Sequence, residues 1–456
     1  MIIFDKPLES LLDKYIKKHC DQMKEHGLVV SVCYLIGSKV NEDIHIAHIS
    51  MCPLPETVND KEGDVRSRFI DAEWIAYYGA RVLRLLPGGI DVVGLLWLAD
   101  KKVTTNPKEI LIPAFRTIQK HSHGLSSLGV LPLDHQMALV SIEAPLGQPV
   151  GFIVDTSRRG LDGTQTRVSF SNLEWVSIES SAKFHLALPL TDATTVSNFR
   201  KLFVCAVKEW VEKFFATKTC LVNGKLLRED GPVRSNEKNR KITRTPLKVD
   251  TFVSYGEVED CEPRILNSYC VVSLNVDMKV NAAVPSKSTM FKAVEAVKEH
   301  IVRTLNSRAE LHYECTDVVE DEPKDRVAVH QLPRAASTHL PSQPAIVFTD
   351  YLFEGDCKAD ASSSFEELLS LDVDGDDIDD TFERHLGDND LSVIGSYMST
   401  PVPPQSSCST TSSVASIVIS ESSSPKYFTP GTVALISLIV CLFAIVIHLL
   451  LRTVGE

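Results

Sequence analysis

Residues 71–98, DAEWIAYYGARVLRLLPGGIDVVGLLWL, carry the signals that decide the fold class. Up to Leu85 the apolar side chains recur at helical spacing, and Asp71 stands where an N-cap belongs. Pro87 and the glycines behind it end the helix. The next stretch, 90–98, is almost entirely apolar and predicts a buried strand. A helix that leads at once into a buried strand indicates a fold of mixed helices and strands.

The same mixture extends to both sides of this stretch. Residues 1–20 predict a short amphipathic helix, and the apolar runs 28–38 and 43–51 predict a β-hairpin around a polar turn. A further helix is predicted at about 107–121. Strands are also predicted at 137–144, 150–155, 167–172 and 183–190.

A second unit of helices and strands is predicted from 191 to 353. It opens with an amphipathic helix over 196–215, which is followed by a hairpin with an Asn-Gly turn at 223–224. A strong helix is predicted over 289–305. The predicted class is therefore α+β, with a first domain at 1–190 and a second α/β domain at 191–353.

Composition changes at residue 354. The stretch 350–390 contains 15 acidic residues and two basic ones, and serine and threonine fill 16 of the 35 positions of 391–425. Such segments bury too little apolar surface to offset the entropy cost of ordering, so 354–428 is predicted to be a disordered linker. Within it, 365–371 (FEELLSL) is either a motif that folds onto a partner or incidental composition.

The C-terminal end predicts a membrane anchor. No charged residue occurs between Lys426 and Arg452, and 433–451 (VALISLIVCLFAIVIHLLL) is nearly all apolar. A helix of that length spans ~28 Å, close to the ~30 Å hydrocarbon core, so 430–452 is predicted to be a single transmembrane helix. The anchor residues are Val433, Leu435, Ile436, Leu438, Ile439, Leu442, Phe443, Ile445, Ile447, Leu449 and Leu451.

The position of this span predicts the topology of the chain. A span so close to the C-terminus predicts insertion after translation, with the large N-terminal body left in the cytosol. The flanking charges Lys426 and Arg452 oppose each other and do not set the orientation. The moderate length of the span favours a thin bilayer such as that of the endoplasmic reticulum.

Charge and cysteine usage exclude some classes of function. The net charge is −13, and outside 350–390 the chain is balanced, with 45 acidic residues against 45 basic ones. No basic excess exists there, so nucleic acid is not expected as a partner. The 11 cysteines include no C-x-x-C pair, which excludes a zinc ribbon and fits a reducing compartment.

One group of residues suggests metal chemistry. His121 and His123, with Asp134 further on, have the spacing by which JAMM metalloproteases hold zinc. Gly124 stands where that motif has a proline, and Leu131 stands where it has a serine. The preferred interpretation is a solvent-side loop, and the metal site is the weaker alternative.

A second group of residues suggests a calcium-binding site. Asp372, Asp374, Asp376 and Glu383 occupy positions 1, 3, 5 and 12 of an EF-hand loop. Position 6 needs a glycine for its turn but holds Asp377. A solvated acidic linker is therefore preferred over a calcium sensor.

Several stretches together resemble the tail-anchored odorant response abnormal protein four family. They are YLIGS (34–38), EWIAYYGARVLRLLPGGIDVVG (73–94), CLVNGKLL (220–227), FKAVEAVKEHIVRTLNSRAEL (291–311), FTDYLFEGD (348–356) and the terminal span. The most specific stretch is LPGGIDVVG, whose motif residues are Leu86, Pro87, Gly88, Gly89 and Gly94.

The resemblance implies that 1–190 is a catalytically inactive MPN-like domain. In active members of the JAMM/MPN fold, a strand with V-V-G leads into a zinc-binding His-x-His, and a glutamate lies upstream. Here Trp97 and Ala99 occupy the two histidine positions, and the glutamate position falls near Val30. The resemblance therefore implies a docking surface with no metal, no cofactor and no catalytic residue.

The resemblance also implies a role. Members of the family act as endoplasmic-reticulum adaptors, recruit a ubiquitin-fold-modifier protease, and assist the folding and export of chemosensory G-protein-coupled receptors toward cilia. The principal hypothesis is therefore a tail-anchored, chaperone-like pseudoenzyme of olfactory protein transport, in the endoplasmic reticulum and in dendrites or vesicles of chemosensory neurons. The alternative is a membrane-tethered metal-dependent isopeptidase that uses His121, His123 and Asp134.

Overall fold

An eight-stranded mixed sheet organises the N-terminal part of the chain in the computed structural model. The structure describes residues 1–383 except 27–29, 55–70, 104, 123–134, 146, 159, 191–195, 234–244, 254–269 and 316–326. The strands are β1 (Ile2–Asp5), β2 (Val30–Val40), β3 (Asp43–Met51), β4 (Asp91–Asp100), β5 (Gln136–Ala144), β6 (Val150–Asp155), β7 (Gly163–Thr166) and β8 (Val168–Ser171). Their spatial order is β7-β6-β5-β4-β2-β3-β1-β8.

The two edges of this sheet are joined by one continuous piece of chain. β7 and β8 lie at opposite ends of the order, yet only Arg167 separates them in sequence. A Cβ atom on Gly151 of β6 would lie 2.6 Å from Val168 Cγ2 and 3.0 Å from Ile2 Cδ1 of β1, although four strands separate β6 from β1 in the order. The sheet therefore curls strongly enough to bring its two ends close together.

The first helix packs into the concave side of the curled sheet. α1 (Leu8–His26) buries Leu8, Leu12 and Tyr15 in a cluster with side chains of the surrounding strands, as the predicted amphipathic face requires. The prediction is wrong for residues 2–5, which form β1 because they pair with β3 and β8. Those partners are distant in sequence and leave no local signal.

The convex side of the sheet is covered by helices. α2 (Ala72–Leu85) and α3 (Pro107–Ser122) pack there in a second apolar cluster. The predicted N-cap is confirmed, because the Asp71 carboxylate accepts a hydrogen bond of 2.7 Å from the Trp74 backbone N–H. The predicted strand after the glycines is confirmed as β4, and the predicted hairpin as β2 and β3.

A second, six-stranded sheet follows. Its strands are β9 (Trp175–Leu190), β10 (Cys220–Val222), β11 (Lys225–Leu226), β12 (Leu247–Thr251), β13 (Cys270–Pro285) and β14 (Val327–Gln331), in the order β11-β10-β12-β9-β13-β14. α4 (Val196–Ala216) and α5 (Met290–Cys315) pack on it through a separate apolar cluster. Asn223 and Gly224 have φ of 49° and 73°, so the predicted hairpin turn is confirmed.

The chain then returns to the second apolar cluster, the one that contains α2 and α3. β15 (Arg334–Leu340) and β16 (Gln343–Leu352) form a hairpin, and α6 (Lys358–Leu369) follows. Phe348 of β16 and Phe365 of α6 are completely buried in the cluster that also contains α2 and α3. Met1–Gly387 form one compact unit.

The prediction of disorder from residue 354 is wrong as far as 383. Phe365, Leu368 and Leu369 are buried on one face of α6, and Leu371, Val373 and Ile378 are buried beyond it. These apolar side chains bury enough surface to order the segment despite its acidic composition. FEELLSL therefore packs on the body of its own chain.

The predicted membrane anchor, 430–452, lies outside the described residues, as does the rest of the linker from 384. In the part of the chain that the structure describes, no helix combines the length and the apolar composition needed to cross a membrane.

Candidate functional site

The three positions that the resemblance equates with a zinc site lie together on two neighbouring strands. Antiparallel pairing of β2 and β4 places Val30 opposite Ala99 and Val32 opposite Trp97. Val30, Trp97 and Ala99 are all buried in the cluster on the convex side of the sheet. Neither valine nor alanine has a metal-ligating or proton-transferring atom, so in this chain these positions contribute to packing.

A thiol bonded to the same strand is also part of the packing. Cys52 follows β3, and its N–H donates to the Val32 carbonyl at 2.8 Å. Its Sγ accepts a hydrogen bond of 3.3 Å from the Tyr34 hydroxyl, and burial raises the pKa of the thiol to about 12. Since the thiolate is the nucleophilic form, burial disfavours the reactive form of Cys52 at neutral pH.

The LPGGIDVVG motif forms the junction between the two sheets. The Gly88 N–H donates to Asn281 of β13 at 3.2 Å, and the Gly88 carbonyl accepts from Ala283 at 2.9 Å. A Cβ at Gly88 would lie only 1.9 Å from the Ala296 carbonyl oxygen of α5. Gly89 has φ +78°, which L-residues rarely adopt. Both glycines therefore allow α2, β4, β13 and α5 to meet.

A buried arginine of α5 completes this junction. Arg303 donates to the carbonyls of Ile90 (2.8 Å) and Pro87 (3.3 Å), and it pairs with Glu299 at 2.5 Å. Burial opposes its charge, but Glu299 and Asp91 outweigh this and raise the pKa of Arg303. The loop after α2 is thus held by a charged group that satisfies its carbonyls.

The other motif residues have packing roles too. Leu86, the C-cap of α2, is buried, and its N–H donates to the Leu83 carbonyl at 3.3 Å. A Cβ at Gly94 would lie 2.1 Å from the Ala138 carbonyl oxygen of β5. The motif is therefore specific because the fold requires close backbone approach at several points.

Of the three predicted zinc ligands, only His121 belongs to a described element. His121 lies in the last turn of α3, while His123 and Asp134 lie outside the described residues. Within the described ranges, no three side chains of His, Cys, Asp or Glu converge in a way that could hold a metal ion.

The calcium hypothesis fails at its most important ligand. Glu383 is buried, and its carboxylate accepts two hydrogen bonds from Arg308 at 2.6 and 2.8 Å. It also accepts from the backbone N–H groups of Ala335 (2.7 Å) and Lys279 (3.1 Å). A carboxylate engaged in this way cannot serve as the bidentate ligand at position 12.

A cleft that the sequence did not predict lies between α1, the ends of β2 and β3, and α6. Its volume is about 370 Å³. Its walls are formed by Lys18, Gln22, Ser31, Met51, Cys52, Pro53, Leu54, Ser363, Glu366, Glu367 and Ser370. These residues come from three distant parts of the sequence, so no local pattern could have indicated the cleft.

Comparison with known proteins supports the family resemblance that the motif stretches indicate. The sequence model of the family described as odorant response abnormal 4-like matches residues 34–380, which include the motif, the second sheet, α6 and the first sheet except for β1 and the start of β2. This chain belongs to the odorant response abnormal 4-like family. The family prediction from the sequence is confirmed.

Named relatives of this odorant response abnormal 4-like protein are similar over most of their length. It is 33% identical to "Odorant response abnormal protein 4" of Caenorhabditis elegans over 407 residues, which cover 86% of this chain and 83% of that protein. It is 21% identical to "Protein odr-4 homolog" of Xenopus tropicalis and to that of Homo sapiens, in each case over 81% of this chain and 84% of the relative.

Among solved structures, the crystal structure of UfSP from C. elegans aligns with 81% of this chain and 56% of its own chain, at 9% identity and a TM-score of 0.39. A TM-score of that size does not establish a shared fold. The predicted α+β class is confirmed by the described helices and strands, while the MPN-like character of 1–190 stays a prediction.

Proposed function

We propose that this odorant response abnormal 4-like protein is a non-enzymatic adaptor that promotes the folding, maturation and delivery of chemosensory seven-helix receptors to cilia. The observation that carries the proposal is the 33% identity, over 86% of this chain, to a protein named for an abnormal odorant response. The match includes the folded body, so a shared role is expected of the body and not only of a short motif.

The chemistry of the body supports a role in binding. The two positions that would hold zinc in an active relative of the MPN fold are Trp97 and Ala99, and the position of its glutamate falls near Val30; all three lie within an apolar cluster. Burial suppresses the nucleophilicity of the adjacent Cys52. An adaptor needs surfaces rather than reactive groups, and the buried arginines and close glycine contacts provide a rigid scaffold for such surfaces.

The proposed location is the membrane of the endoplasmic reticulum, with the body in the cytosol. The uncharged, apolar stretch 433–451 supports a single span. A ubiquitin-fold-modifier protease is the proposed partner at that membrane, on the basis of the family resemblance. Fusing a glycosylation acceptor to either end of the chain tests the orientation. Modification of the N-terminal acceptor would contradict a cytosolic body.

Complementation tests the proposed function. We expect the full chain, expressed in nematodes that lack Odorant response abnormal protein 4, to restore a fluorescently tagged odorant receptor to cilia. The matched control is the same chain without 430–456, which is expected to be present in the cytosol and to fail in delivery. Full delivery by the shortened chain contradicts the anchoring, and no delivery by the full chain at normal abundance contradicts the adaptor role.

A further inference from the structure

A cluster of aromatic side chains lies exposed on α2. The ring centroids of Trp74 and Tyr78 are 5.0 Å apart, and those of Tyr77 and Tyr78 are 5.3 Å apart. The two tyrosine rings stand at 84° to each other, so the face of one ring adjoins the edge of the other. Tyr77 is 57% exposed, while Trp74 and Tyr78 are half-buried. We call these three side chains the α2 aromatic cluster.

The charges around the α2 aromatic cluster do not favour a charged ligand. The Arg81 guanidinium, which lies 5.5 Å from the Tyr78 centroid, pairs with Glu367 of α6 at 3.3 Å, so each neutralises the other. Exposed charges on the helices around this pair have both signs and include Lys14, Lys17 and Lys18 on α1, Glu73 on α2 and Glu366 on α6. Because neither sign dominates, charge complementarity selects neither a basic nor an acidic ligand.

The chain itself contains an uncharged segment whose chemistry fits exposed aromatic rings. No charged residue occurs from 391 to 420, and the prolines of that stretch are Pro401, Pro403 and Pro404. Proline fixes its own φ near −65° and restricts the residue before it, so 401–404 (PVPP) favours the polyproline II conformation. Aromatic-lined surfaces recognise segments with prolines three positions apart, because such segments lose little conformational entropy on binding.

The described part of the chain ends close to α2. Glu383 pairs with Arg308 of α5. Two positions further along α5, Glu310 pairs with Arg84 of α2 at 3.6 Å. Arg84 follows Tyr77 by seven positions, which is about 10 Å of helix. The path from the last described residue to the α2 aromatic cluster is therefore at most about 40 Å long.

The length of chain beyond Glu383 is sufficient for this path. Residues 384–400 separate Glu383 from Pro401. A random coil of that length has an r.m.s. span of about 20–25 Å and a fully extended span of about 55 Å. A tether in this range gives an effective concentration on the order of 1 mM. A site with a Kd in the millimolar range would thus be occupied by 401–404 for about half of the time.

We propose that 401–404 docks on the α2 aromatic cluster of its own chain, with its proline rings against the exposed faces of Tyr77 and Tyr78. The Tyr77 hydroxyl supplies a hydrogen-bond donor for a carbonyl of the segment. Docking leaves only 405–429 between the body and the predicted anchor at 430–452, so it shortens the tether. The proposal concerns contacts within one chain and does not depend on the proposed function.

Photo-crosslinking of the full chain in detergent tests the proposal. The exposed Tyr77 is replaced by the photoreactive aromatic amino acid benzoylphenylalanine, and tandem mass spectrometry locates the crosslinks after irradiation and digestion. We expect capture of 398–407 of the same chain. Benzoylphenylalanine in place of Phe291, an aromatic of α5 that is 46% exposed, is the matched control and should not capture this segment.

Substitutions in the segment test the role of its prolines. In the benzoylphenylalanine chain, Pro401→Ser together with Pro404→Ser should lower the crosslinking yield about tenfold. Ser406→Ala together with Ser407→Ala is the control and should leave the yield unchanged. Both pairs lie outside the folded body, and circular dichroism melting of each chain establishes that the body is intact.

Three results overturn the proposal. The first is capture of another segment, such as 55–70, without capture of 398–407. The second is an equal yield from the proline and serine variants. The third is a crosslink between chains, which a mixture of isotopically heavy and light protein reveals and which would assign the α2 aromatic cluster to a second copy.

Discussion

Arg308 of α5 and Glu383, the last described residue, form a buried, bidentate ion pair. The two hydrogen bonds measure 2.6 and 2.8 Å, and the side chains are 1% and 4% exposed. The pair connects the centre of the body to the end of the acidic segment, immediately before the residues that lead toward the predicted anchor. The segment 371–383 is thereby part of the folded body.

Removing one partner of this pair is expected to destabilise the body strongly. In Glu383→Ala the Arg308 charge stays buried without its counter-ion, which costs about 3–5 kcal/mol of the free energy of unfolding. Urea denaturation of the full chain measures the change. Asp372→Ala, at an exposed acid of the same segment, is the control and should change stability by less than about 0.5 kcal/mol. Equal effects would show that the pair does not stabilise the fold.

The motif glycine at 88 is expected to tolerate no side chain. Gly88→Ala places a methyl group 1.9 Å from the Ala296 carbonyl oxygen, so α5 must shift away from the loop. We expect a loss of about 3 kcal/mol or failure to fold. Gly375→Ala is the matched control, because nothing lies within 4 Å of the added methyl. Thermal unfolding compares the two variants, and a Gly88→Ala chain as stable as the control contradicts this account of the motif.

Asp350 of β16 is expected to make stability fall as pH rises. Burial raises the pKa of its carboxyl from 3.8 to about 6, despite hydrogen bonds that favour the charged form. Between these values the folded chain keeps a proton that the unfolded chain has released, so this stabilising contribution is lost as pH rises through 6. Relative to Asp350→Asn, the wild type should lose about 2–3 kcal/mol between pH 4 and pH 7. Urea unfolding of both chains across that range tests this, and a constant difference contradicts it.

His48 of β3 is expected to have the opposite effect and make stability fall as pH falls. Its Nε2–H donates to the Leu369 carbonyl at 2.7 Å, at the end of α6, and burial lowers its pKa from 6.5 to about 4. Over that interval the unfolded chain binds a proton that the folded chain does not, so stability falls as pH falls.

Relative to His48→Gln, the wild type should therefore lose about 3 kcal/mol between pH 7 and pH 4. The same substitution at His339, which is exposed on β15, is the matched control. A pH-dependent difference at His339 as large as that at His48 contradicts the assignment to burial.

Metal analysis discriminates the adaptor from the isopeptidase. We expect the full chain, purified without chelators, to contain no stoichiometric zinc, because the positions aligned with the zinc site hold Trp97, Ala99 and Val30. Elemental analysis by plasma mass spectrometry measures the content. Stoichiometric zinc that disappears in His123→Ala would instead favour the isopeptidase built on His121, His123 and Asp134.

Local patterns predicted the secondary structure well. The cap at Asp71, the helix stop at Pro87, the strand that follows it and the Asn-Gly hairpin at 223–224 are all as the sequence indicated. Each depends on residues within a few positions of one another, since caps, turns and periodic burial are set by neighbouring side chains.

The acidic segment shows where such patterns fail. The acidic composition of 350–390 is typical of disorder. Composition within a segment does not show the basic side chains that other elements of the fold bring into contact with it. Lys279, Arg308 and Arg334 come from β13, α5 and β15, and they pair with Asp379, Glu383 and Asp380 respectively. α6 packs on β3 and β16, and the His48 ring of β3 donates a hydrogen bond to the Leu369 carbonyl, 321 positions away.

The sequence by itself determined most of the helices and strands, the family, and the apolar C-terminal stretch, because these depend on short-range spacing and on residue types. Only the tertiary structure decided that 163–171 joins the two edges of the first sheet, that Gly88 must be free of a side chain, and that Glu383 is a buried counter-ion. Those properties depend on which distant atoms come into contact, and contacts between distant segments are selected by the packing of the whole body rather than by any local preference.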